Sequence, residues 1–277
     1  MRTIILLTVL LALPDDVYAW GHDGHKLVCA IAERYLTDEG KLFTNRVNAQ
    51  GEFLKDGVLS FPESCLWPDK VRYTTRKDSY EHHFINIPIS ANSVNLGRDC
   101  AALTCLPAGI QRSIVYLASS AVGQREMGRQ AAALRYLGHF IGDLHQPLHV
   151  IDDWGGNKIK VTWFGKETNL HAVWDSGIIA KSGLSYPESL EFLSAVKVRP
   201  GAVDLVRWLN DSFHLVRNNA YRHPNGKVVS SGDKLGKAYL DGNKPLVIEQ
   251  LALAGQRLAA IINATAIGKP PLLLINW

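Results

Sequence analysis

Apolar residues recur at helical spacing along much of this chain. Two sets predict helices that bury one face, namely Val28, Ile31, Ala32 and Tyr35, and then Ile110, Ile114, Leu117 and Ala118. A third helix is predicted over residues 127–146, which Pro147 ends or kinks, and further helices are expected around residues 186–196, 203–221 and 246–262. Residues 158–163 alternate polar and apolar side chains after a Gly-Gly turn, which indicates a short strand or hairpin. The pattern predicts a mostly helical protein.

The first 19 residues have the form of a secretory signal peptide. Arg2 precedes an apolar run over residues 4–13, and small or medium side chains stand where a signal peptidase reads before Ala19. Cleavage there makes Trp20 the first residue of the mature chain. The run is too short to span a bilayer, and we expect no later stretch to approach that length. The sequence therefore predicts an exported protein without a membrane span, in the periplasm or outside the cell.

Composition fits one large domain or two small ones. Cleavage leaves 258 of the 277 residues, and 47% of the sequence is hydrophobic, which supports a sizeable core. Because no repeat or linker divides the chain, we assign residues 20–265 to one domain and residues 266–277 to an apolar tail that packs or frays. Loss of one arginine and two aspartates with the signal raises the formal net charge from +4 to +5. That mild excess suits an anionic substrate.

The four cysteines predict two disulfides. An even number of cysteines in an exported protein favours bridges in an oxidising compartment. Cys100 and Cys105 would close a short loop, which leaves Cys29 to pair with Cys65. Zinc binding by these thiols is the rival interpretation, but no Cys-x2-Cys spacing supports it.

Two clusters of histidine and aspartate lie between residues 139 and 175. His139 and Asp143 are four residues apart, as are His171 and Asp175, and His149 lies between the pairs. Residues four apart share one face of a helix, so each pair can bind one metal ion. Apolar residues surround the first pair, where isolated buried charge would be costly. This favours a site for several metal ions over a set of unrelated polar residues.

Three other segments carry weaker candidates. After cleavage, the amino group and carbonyl oxygen of Trp20 could chelate a metal ion, with His25 nearby in sequence. Asp69 precedes Arg72 by three residues, and His83 precedes an aromatic residue. Taken singly, each segment has an ordinary alternative: a tryptophan that packs in the core, a solvated ion pair, or a hydrogen-bonded loop histidine.

Together these segments resemble a known family. The matching residues run in order from Trp20 to Asp175, and beyond Asp175 only a compatible helical pattern remains. They are Trp20, His25, residues 67–69, His83, Phe84, residues 139–143, 145–149, 155–157 and 169–175. The resemblance is to the S1/P1 family of secreted zinc-dependent single-strand nucleases and 3′-nucleotidases. It implies a mostly α fold, a single-domain helical bundle related to bacterial zinc phospholipase C, with a small β-hairpin and three Zn²⁺ ions in a cleft.

The resemblance also implies three ligand sets. The first zinc ion would be held by Asp69, His83, His139 and Asp143, and the second by His149, His171 and Asp175. The third would take Trp20, His25 and a bridging oxygen of Asp143. Nitrogen and oxygen ligands without thiolates fit zinc, and incomplete protein coordination is typical of a catalytic site.

The implied reaction is hydrolysis of single-stranded DNA and RNA to 5′-phosphorylated products, with removal of terminal 3′-phosphates from 3′-nucleotides. The two bridged zinc ions would activate a shared water, and the third would stabilise the leaving 3′ oxygen. Arg72 would stabilise charge in the transition state, while Asn157 would contact phosphate or orient a ligand. Phe84 would stack on a base, unless it is simply a core aromatic residue.

Asn86 departs from the pattern of the fungal members. They carry an aspartate there that partners the arginine and orients the attacking water. An asparagine cannot accept a proton at neutral pH, which leaves activation of water to the metal ions. We therefore expect Asn86 to shift the pH optimum or the substrate preference.

Two alternatives remain open at this point. A secreted zinc phospholipase C would use nearly the same metal ligands, and a zinc-binding or storage protein would use them without catalysis. A stacking surface near Phe84 would favour nucleotides, whereas an apolar rim would favour lipid. His22, His82 and His145 are interpreted as structural, and we expect a monomer without a stable protein partner.

Overall fold

The computed structural model describes residues 20–152 and 154–271. The predicted signal peptide and the last six residues of the tail lie outside this part of the chain. The α-helices are α1 His22–Tyr35, α2 Asp38–Ala49, α3 Phe61–Ser64, α4 Trp67–Val71, α5 Leu96–Asp99, α6 Leu106–Ala118, α7 Gln124–Leu144, α8 Leu170–Ala172, α9 Ile178–Lys181, α10 Leu190–Ser194, α11 Leu205–Leu215 and α12 Lys237–Ala266. Short 3-10 segments are Gln50–Phe53, Lys77–His83, Pro147–His149 and Trp154–Gly156, and π-helical turns are Val173–Gly177 and Val216–Ala220.

The mostly α fold predicted from the sequence is confirmed, and a small sheet accompanies it. Strand β1 is Lys160–Trp163 and pairs antiparallel with β2, Lys166–Asn169, as the expected hairpin. A third strand, β3, Lys234–Leu235, pairs parallel to β1 and completes the order β2-β1-β3. The sequence did not predict β3, because a two-residue strand carries no periodicity.

Two helix predictions need correction. The helix expected over residues 186–196 is limited to Leu190–Ser194, since Pro187 interrupts the pattern before it. The helix expected over residues 246–262 begins at Lys237 and runs for 30 residues through Pro245. A proline usually marks the first turn of a helix, which is why the sequence placed the start too late.

Helix α12 is the core of the bundle. By length and composition alone, this helix of the described residues could cross a membrane. The expectation that no later stretch approaches that length is therefore wrong. However, 67% of its most apolar window is buried inside the protein. It packs against α1, α2 and α7. The length and apolar character of α12 therefore fit a buried helix of this bundle.

The helices that carry the site pack closely. Helix α7 lies against α6, α1 and α2, and nearly all of its residues from Gly128 onward are buried. Two disulfides, Cys29–Cys65 and Cys100–Cys105, link neighbouring elements. The first one joins α1 to the segment that precedes α4.

Gly255 sets the distance between α1 and α12. A methyl group added there would lie 2.5 Å from Cβ of Ile31 and 3.0 Å from the carbonyl oxygen of Val28. We expect Gly255→Ala to lower the free energy of unfolding by about 1–3 kcal/mol, because the two backbones must separate. Gly242→Ala in the same helix is the control, since its nearest neighbour would be an ordinary contact at 3.7 Å. Chemical denaturation of the metal-loaded protein measures both, and equal stability of the two variants would contradict the packing.

Candidate metal centre

Eight histidine and aspartate side chains from separate elements converge in the interior, and each is at most 6% exposed. They are His25 on α1, Asp69 on α4, His83 at the end of Lys77–His83, His139 and Asp143 on α7, His149 at the end of Pro147–His149, and His171 and Asp175 in and after α8. Their donor atoms form three groups, each compact enough to hold a metal ion, and two of the groups share His139. The groups are His25 with Asp69 and His139; His83 with His139 and Asp143; and His149 with His171 and Asp175.

Four of these side chains surround one point. The ring nitrogens Nε2 of His139 and Nδ1 of His83 lie 3.0 Å apart. Both lie 3.1–3.3 Å from Oδ2 of Asp143 and 3.5–3.6 Å from Oδ1 of Asp69. Ligand atoms bound tetrahedrally to zinc at about 2.0–2.1 Å stand about 3.3 Å apart. The spacing therefore matches four ligands of one ion.

His25 reaches the same aspartate from the other side. Its Nε2 lies 3.4 Å from Oδ1 of Asp143, and its ring stacks on that of His139 with centroids 3.8 Å apart. Trp20 is fully buried, and the next residue, Gly21, donates its amide to the carbonyl of Asp175. The structure thus brings the predicted mature terminus and His25 to the centre, where Asp143 offers a different oxygen to each side.

The remaining group is built on α8 and the π-turn after it. Nε2 of His171 lies 3.1 Å from Oδ2 of Asp175, and Nε2 of His149 lies 3.9 Å from Oδ1. The two imidazole rings stack with centroids 5.0 Å apart. The side-chain amide of Gln146 donates to Oδ1 of Asp175 and fixes the carboxylate.

Backbone carbonyls orient three of the imidazoles. In each, Nδ1 donates a hydrogen bond of 2.7 Å, which leaves Nε2 facing the centre. The pairs are His139 with the carbonyl of Cys65, His149 with that of His83, and His171 with that of Gly155. The sequence gives no sign of these supports, because a backbone carbonyl leaves no side-chain pattern. The role of Gln146 depends on its tertiary contact with Asp175, which the sequence does not show either.

Burial and the contacts between histidines and carboxylates shift the pKa values of both kinds of group. Burial alone would lower the pKa of His139, but Asp143 and Asp69 raise it to about 10 in the metal-free chain. Burial lowers the pKa of His83 to about 4 despite its contact with Asp143. Burial opposes ionisation of Asp143, yet His139 and His149 hold its pKa well below the usual range. Asp69, whose pKa is lowered by His139 and Arg72, and Asp143 therefore stay charged although both are buried.

Several buried polar atoms in this centre lack a hydrogen-bond partner among the described residues, and a bound cation would satisfy them. Six such atoms form no hydrogen bond of good geometry with residues 20–152 and 154–271. They are both ring nitrogens of His25, both carboxylate oxygens of Asp143, Nε2 of His149 and Oδ2 of Asp175. Buried polar groups in native proteins are normally satisfied, and unsatisfied charge is costly. Nitrogen and oxygen donors without thiolate suit zinc, so the residues fit the implied metal.

Arg72 lies beside this centre. Its Nη1 is 3.1 Å from Oδ1 of Asp69, and its guanidinium lies 4.9 Å from the ring centroid of Tyr73. Burial opposes its charge, but Asp69 and other neighbours raise its pKa. The side chain is therefore a fixed cation that shares a carboxylate with the first group of ligands.

The other predicted residues occupy different places. Phe84 and Asn86 line a cavity of about 200 Å³ near the Cys100–Cys105 disulfide. The amide of Asn157 donates to the carbonyl of Trp154 within the turn that carries Gly155. His145 donates from Nδ1 to the carbonyl of Ile141 and accepts from Arg257, and burial lowers its pKa to about 3, as a structural imidazole requires.

Comparison with known sequences now decides the family. A sequence model described as S1/P1 nuclease matches residues 20–266. This chain belongs to the S1/P1 nuclease family. Endonuclease 2 of Arabidopsis thaliana is 32% identical over 288 residues, covering 94% of each chain. Nuclease S1 of Aspergillus oryzae is 28% identical across 96% of this chain and 98% of the relative, and nuclease P1 of Penicillium citrinum is 29% identical across 88% and 97%.

The family resemblance predicted from the motifs is thereby confirmed. This S1/P1 nuclease is a hydrolase that cleaves phosphodiester bonds of nucleic acids. That finding favours a nuclease over both the phospholipase C and the zinc-storage alternatives.

Gly155 permits the turn that orients His171. Its backbone has a positive φ of 57°, and an added Cβ would collide with the carbonyl of Leu148 and come 3.0 Å from Nδ1 of His171. We expect Gly155→Ala to lower metal affinity at the His149 group by about 10–100-fold, the usual effect of losing such a support. Gly165→Ala is the control, because that glycine also has positive φ but has open space around it. Metal titration compares them, and retention of full affinity by Gly155→Ala would contradict this role.

Metal uptake should release protons. With a pKa of about 10, His139 is protonated at pH 7 in the metal-free chain, and it must lose that proton to become a ligand. We expect zinc binding at pH 7 to release at least about one proton per chain and to weaken as the pH falls. Calorimetry in buffers of different ionisation enthalpy counts the protons. A binding enthalpy independent of the buffer would show that His139 is not charged before it binds.

Proposed function

We propose that the mature protein is an exported trinuclear zinc endonuclease. It hydrolyses single-stranded DNA and RNA to 5′-phosphorylated products and removes the phosphate of 3′-nucleotides. The observation that carries this proposal is the set of three His/Asp groups, one of which contains Asp143, next to the buried cation of Arg72. The proposed zinc ligands are Asp69, His83, His139 and Asp143; His149, His171 and Asp175; and Trp20 and His25 with Asp143.

Metal chemistry and protein residues divide the work. Zinc ions bound there would supply Lewis-acid charge, lowering the pKa of water and stabilising charge on the phosphate and leaving oxygen. Arg72 offers a planar fork to two phosphate oxygens while Asp69 holds it in place. A preorganised charged donor of this kind contributes about 10²–10³-fold to the rate in comparable sites.

Aromatic rings beside Arg72 support a preference for unpaired bases. Tyr73 is 57% exposed and Tyr80 is 42% exposed, so both rings are open to a ligand. Their centroids lie 5.6 Å apart, and Tyr80 contacts the ring of Phe84 at 5.7 Å. Stacking on such rings requires bases that are free of a duplex. Phe84 is proposed as the face that receives the base next to the scissile phosphate.

Asn86 and Asn157 are proposed to serve this site differently. Asn86 shares the cavity with Phe84, which supports a hydrogen bond from its amide to the edge of a base. Because an asparagine does not accept a proton at neutral pH, Asn86 leaves proton removal to the metal centre. Asn157 is held by the carbonyl of Trp154, which supports a role in orienting His171 through the Gly155 turn.

We also propose that processing completes the metal centre. Cleavage after Ala19 would free the amino group of Trp20, and the family match begins at that residue. The two disulfides fit an oxidising compartment such as the periplasm or the cell exterior. Because one chain supplies every proposed ligand, the enzyme is proposed to act as a monomer without a stable protein partner.

An extension ahead of Trp20 should damage the site. A chain that keeps a methionine or a tag before Trp20 cannot offer a free α-amino group, so we expect lower zinc content and lower activity. Metal analysis and initial rates measure the effect, with the same tag at the C-terminus as the control. Full zinc content and full activity in the extended chain would exclude the terminal ligand.

The proposed function is tested by hydrolysis assays on processed protein. Single-stranded DNA and RNA, a 3′-nucleotide and phosphatidylcholine are incubated before chelation, after chelation and after zinc is restored. We expect zinc-restored release of 5′-mononucleotides and of phosphate from the 3′-nucleotide. Products that carry the phosphate on the 3′ end, or cleavage of lipid alone, would contradict the proposal.

A further inference from the structure

A second cavity lies behind the metal centre, between the Lys77–His83 segment, α6 and α7. It has a volume of about 220 Å³. Phe140 forms part of its wall and also packs edge-on against His83, with ring centroids 5.1 Å apart. The cavity is therefore separated from the metal ligands by one aromatic side chain, and none of the eight ligands lines it.

The lining of this cavity is strongly basic. Arg76, Arg112 and Arg129 come from three different elements, and Asp78 is the acidic residue among the lining side chains. Within residues 20–152 and 154–271, none of the three arginines forms an ion pair, and none donates a side-chain hydrogen bond. Guanidinium groups gathered without a carboxylate for each repel one another unless an anion joins them. All three arginines are exposed residues that line the cavity. The excess of positive charge among the lining residues favours an anionic ligand.

Polar groups in the wall point to the same kind of ligand. His82 is only 4% exposed, and its Nε2 has no hydrogen-bond partner of good geometry among the described residues. The buried hydroxyl of Tyr136 lies near the hydroxyl of Ser79, which donates to the carbonyl of Arg76 and can still accept from Tyr136. A buried nitrogen such as Nε2 of His82 is normally hydrogen-bonded, and a ligand in the cavity would supply the missing partner.

We propose that this cavity binds the phosphate monoester group of a nucleotide. A monoester presents three free oxygens and a charge near −2, which matches three guanidinium forks better than the single charge of an internal phosphodiester does. The volume is below the range of about 300–1,000 Å³ that encloses a whole drug-sized ligand, so the cavity holds the phosphate while the nucleoside lies outside. Ala132, Ala133 and Phe140 contribute to the apolar part of the wall.

Two sources could supply that group. One is a free 5′-mononucleotide, and the other is the 5′-phosphorylated end of a strand. The choice of a nucleotide rests on the proposed function, whereas binding of a phosphate monoester rests on the cavity alone. The site would retain a product or hold a strand end near the metal centre.

The test is the number of binding sites on the processed, zinc-loaded protein. Equilibrium dialysis is performed with inorganic phosphate, with adenosine 5′-monophosphate, and with an uncleavable methylphosphonate oligonucleotide that carries or lacks a 5′-phosphate. We expect two classes of site for the mononucleotide, one at the metal centre and one here. Double replacement Arg112→Gln with Arg129→Gln should weaken one class at least tenfold and leave the other unchanged.

Matched controls separate charge from folding. Arg125→Gln removes an exposed arginine from the same helix as Arg129 without touching the cavity, so both classes should persist. Tyr136→Phe keeps the ring and removes only the hydroxyl, and it should weaken the same class by a smaller factor. Unchanged zinc content in every variant establishes an intact fold.

The outcomes are distinct. Equal site numbers and affinities in the wild type and the Arg112/Arg129 double variant would overturn the proposal. Preference for the 5′-phosphorylated oligonucleotide over the mononucleotide would identify a strand end, and the reverse would identify a free product; either result supports the cavity as a monoester site. If the wild type binds the mononucleotide here but does not cleave single strands, the proposed function fails and this site stands.

Discussion

The carboxylate of Asp143 is the constraint on which the rest of the structure depends. It is fully buried, and nitrogens of His25, His83, His139 and His149 lie 3.1–3.7 Å from its oxygens. A charge in that position needs compensation, which protonated His139 gives in the metal-free chain and bound cations would give in the metal-loaded protein. The elements that carry these histidines therefore pack around α7, and the same packing places the metal ligands together. Compensation of the buried Asp143 charge is thus a requirement of both the fold and the metal centre.

Covalent and backbone contacts prepare that convergence. The Cys29–Cys65 disulfide ties α1, which carries His25, to the segment before α4, and it packs over Gly138 of α7, where an added Cβ would lie 2.5–2.7 Å from the two sulfurs. The carbonyl of Cys65 also accepts the hydrogen bond that orients His139. The disulfide thus holds three ligand-bearing elements in register without belonging to the metal centre, which restricts the positions open to the ligands before any ion binds.

The sequence predicted the candidate metal ligands better than the groups that orient them. Spacing of four residues put His139 with Asp143 and His171 with Asp175, because one helical face is a local property that the structure keeps. The Gly155 carbonyl, the strand β3 and the start of α12 before Pro245 depend on tertiary contacts, which leave no periodic signal. The arginines of the second cavity are likewise spread from Arg76 to Arg129, so only the fold brings them together.

In the proposed trinuclear centre, Asp143 would join two of the three metal ions. Diffraction from crystals of the processed protein, recorded on both sides of the zinc absorption edge, tests it most directly. The account predicts three anomalous peaks, one within each His/Asp group, with the two oxygens of Asp143 bound to different peaks. A single peak, or an Asp143 carboxylate that touches only one ion, would contradict it.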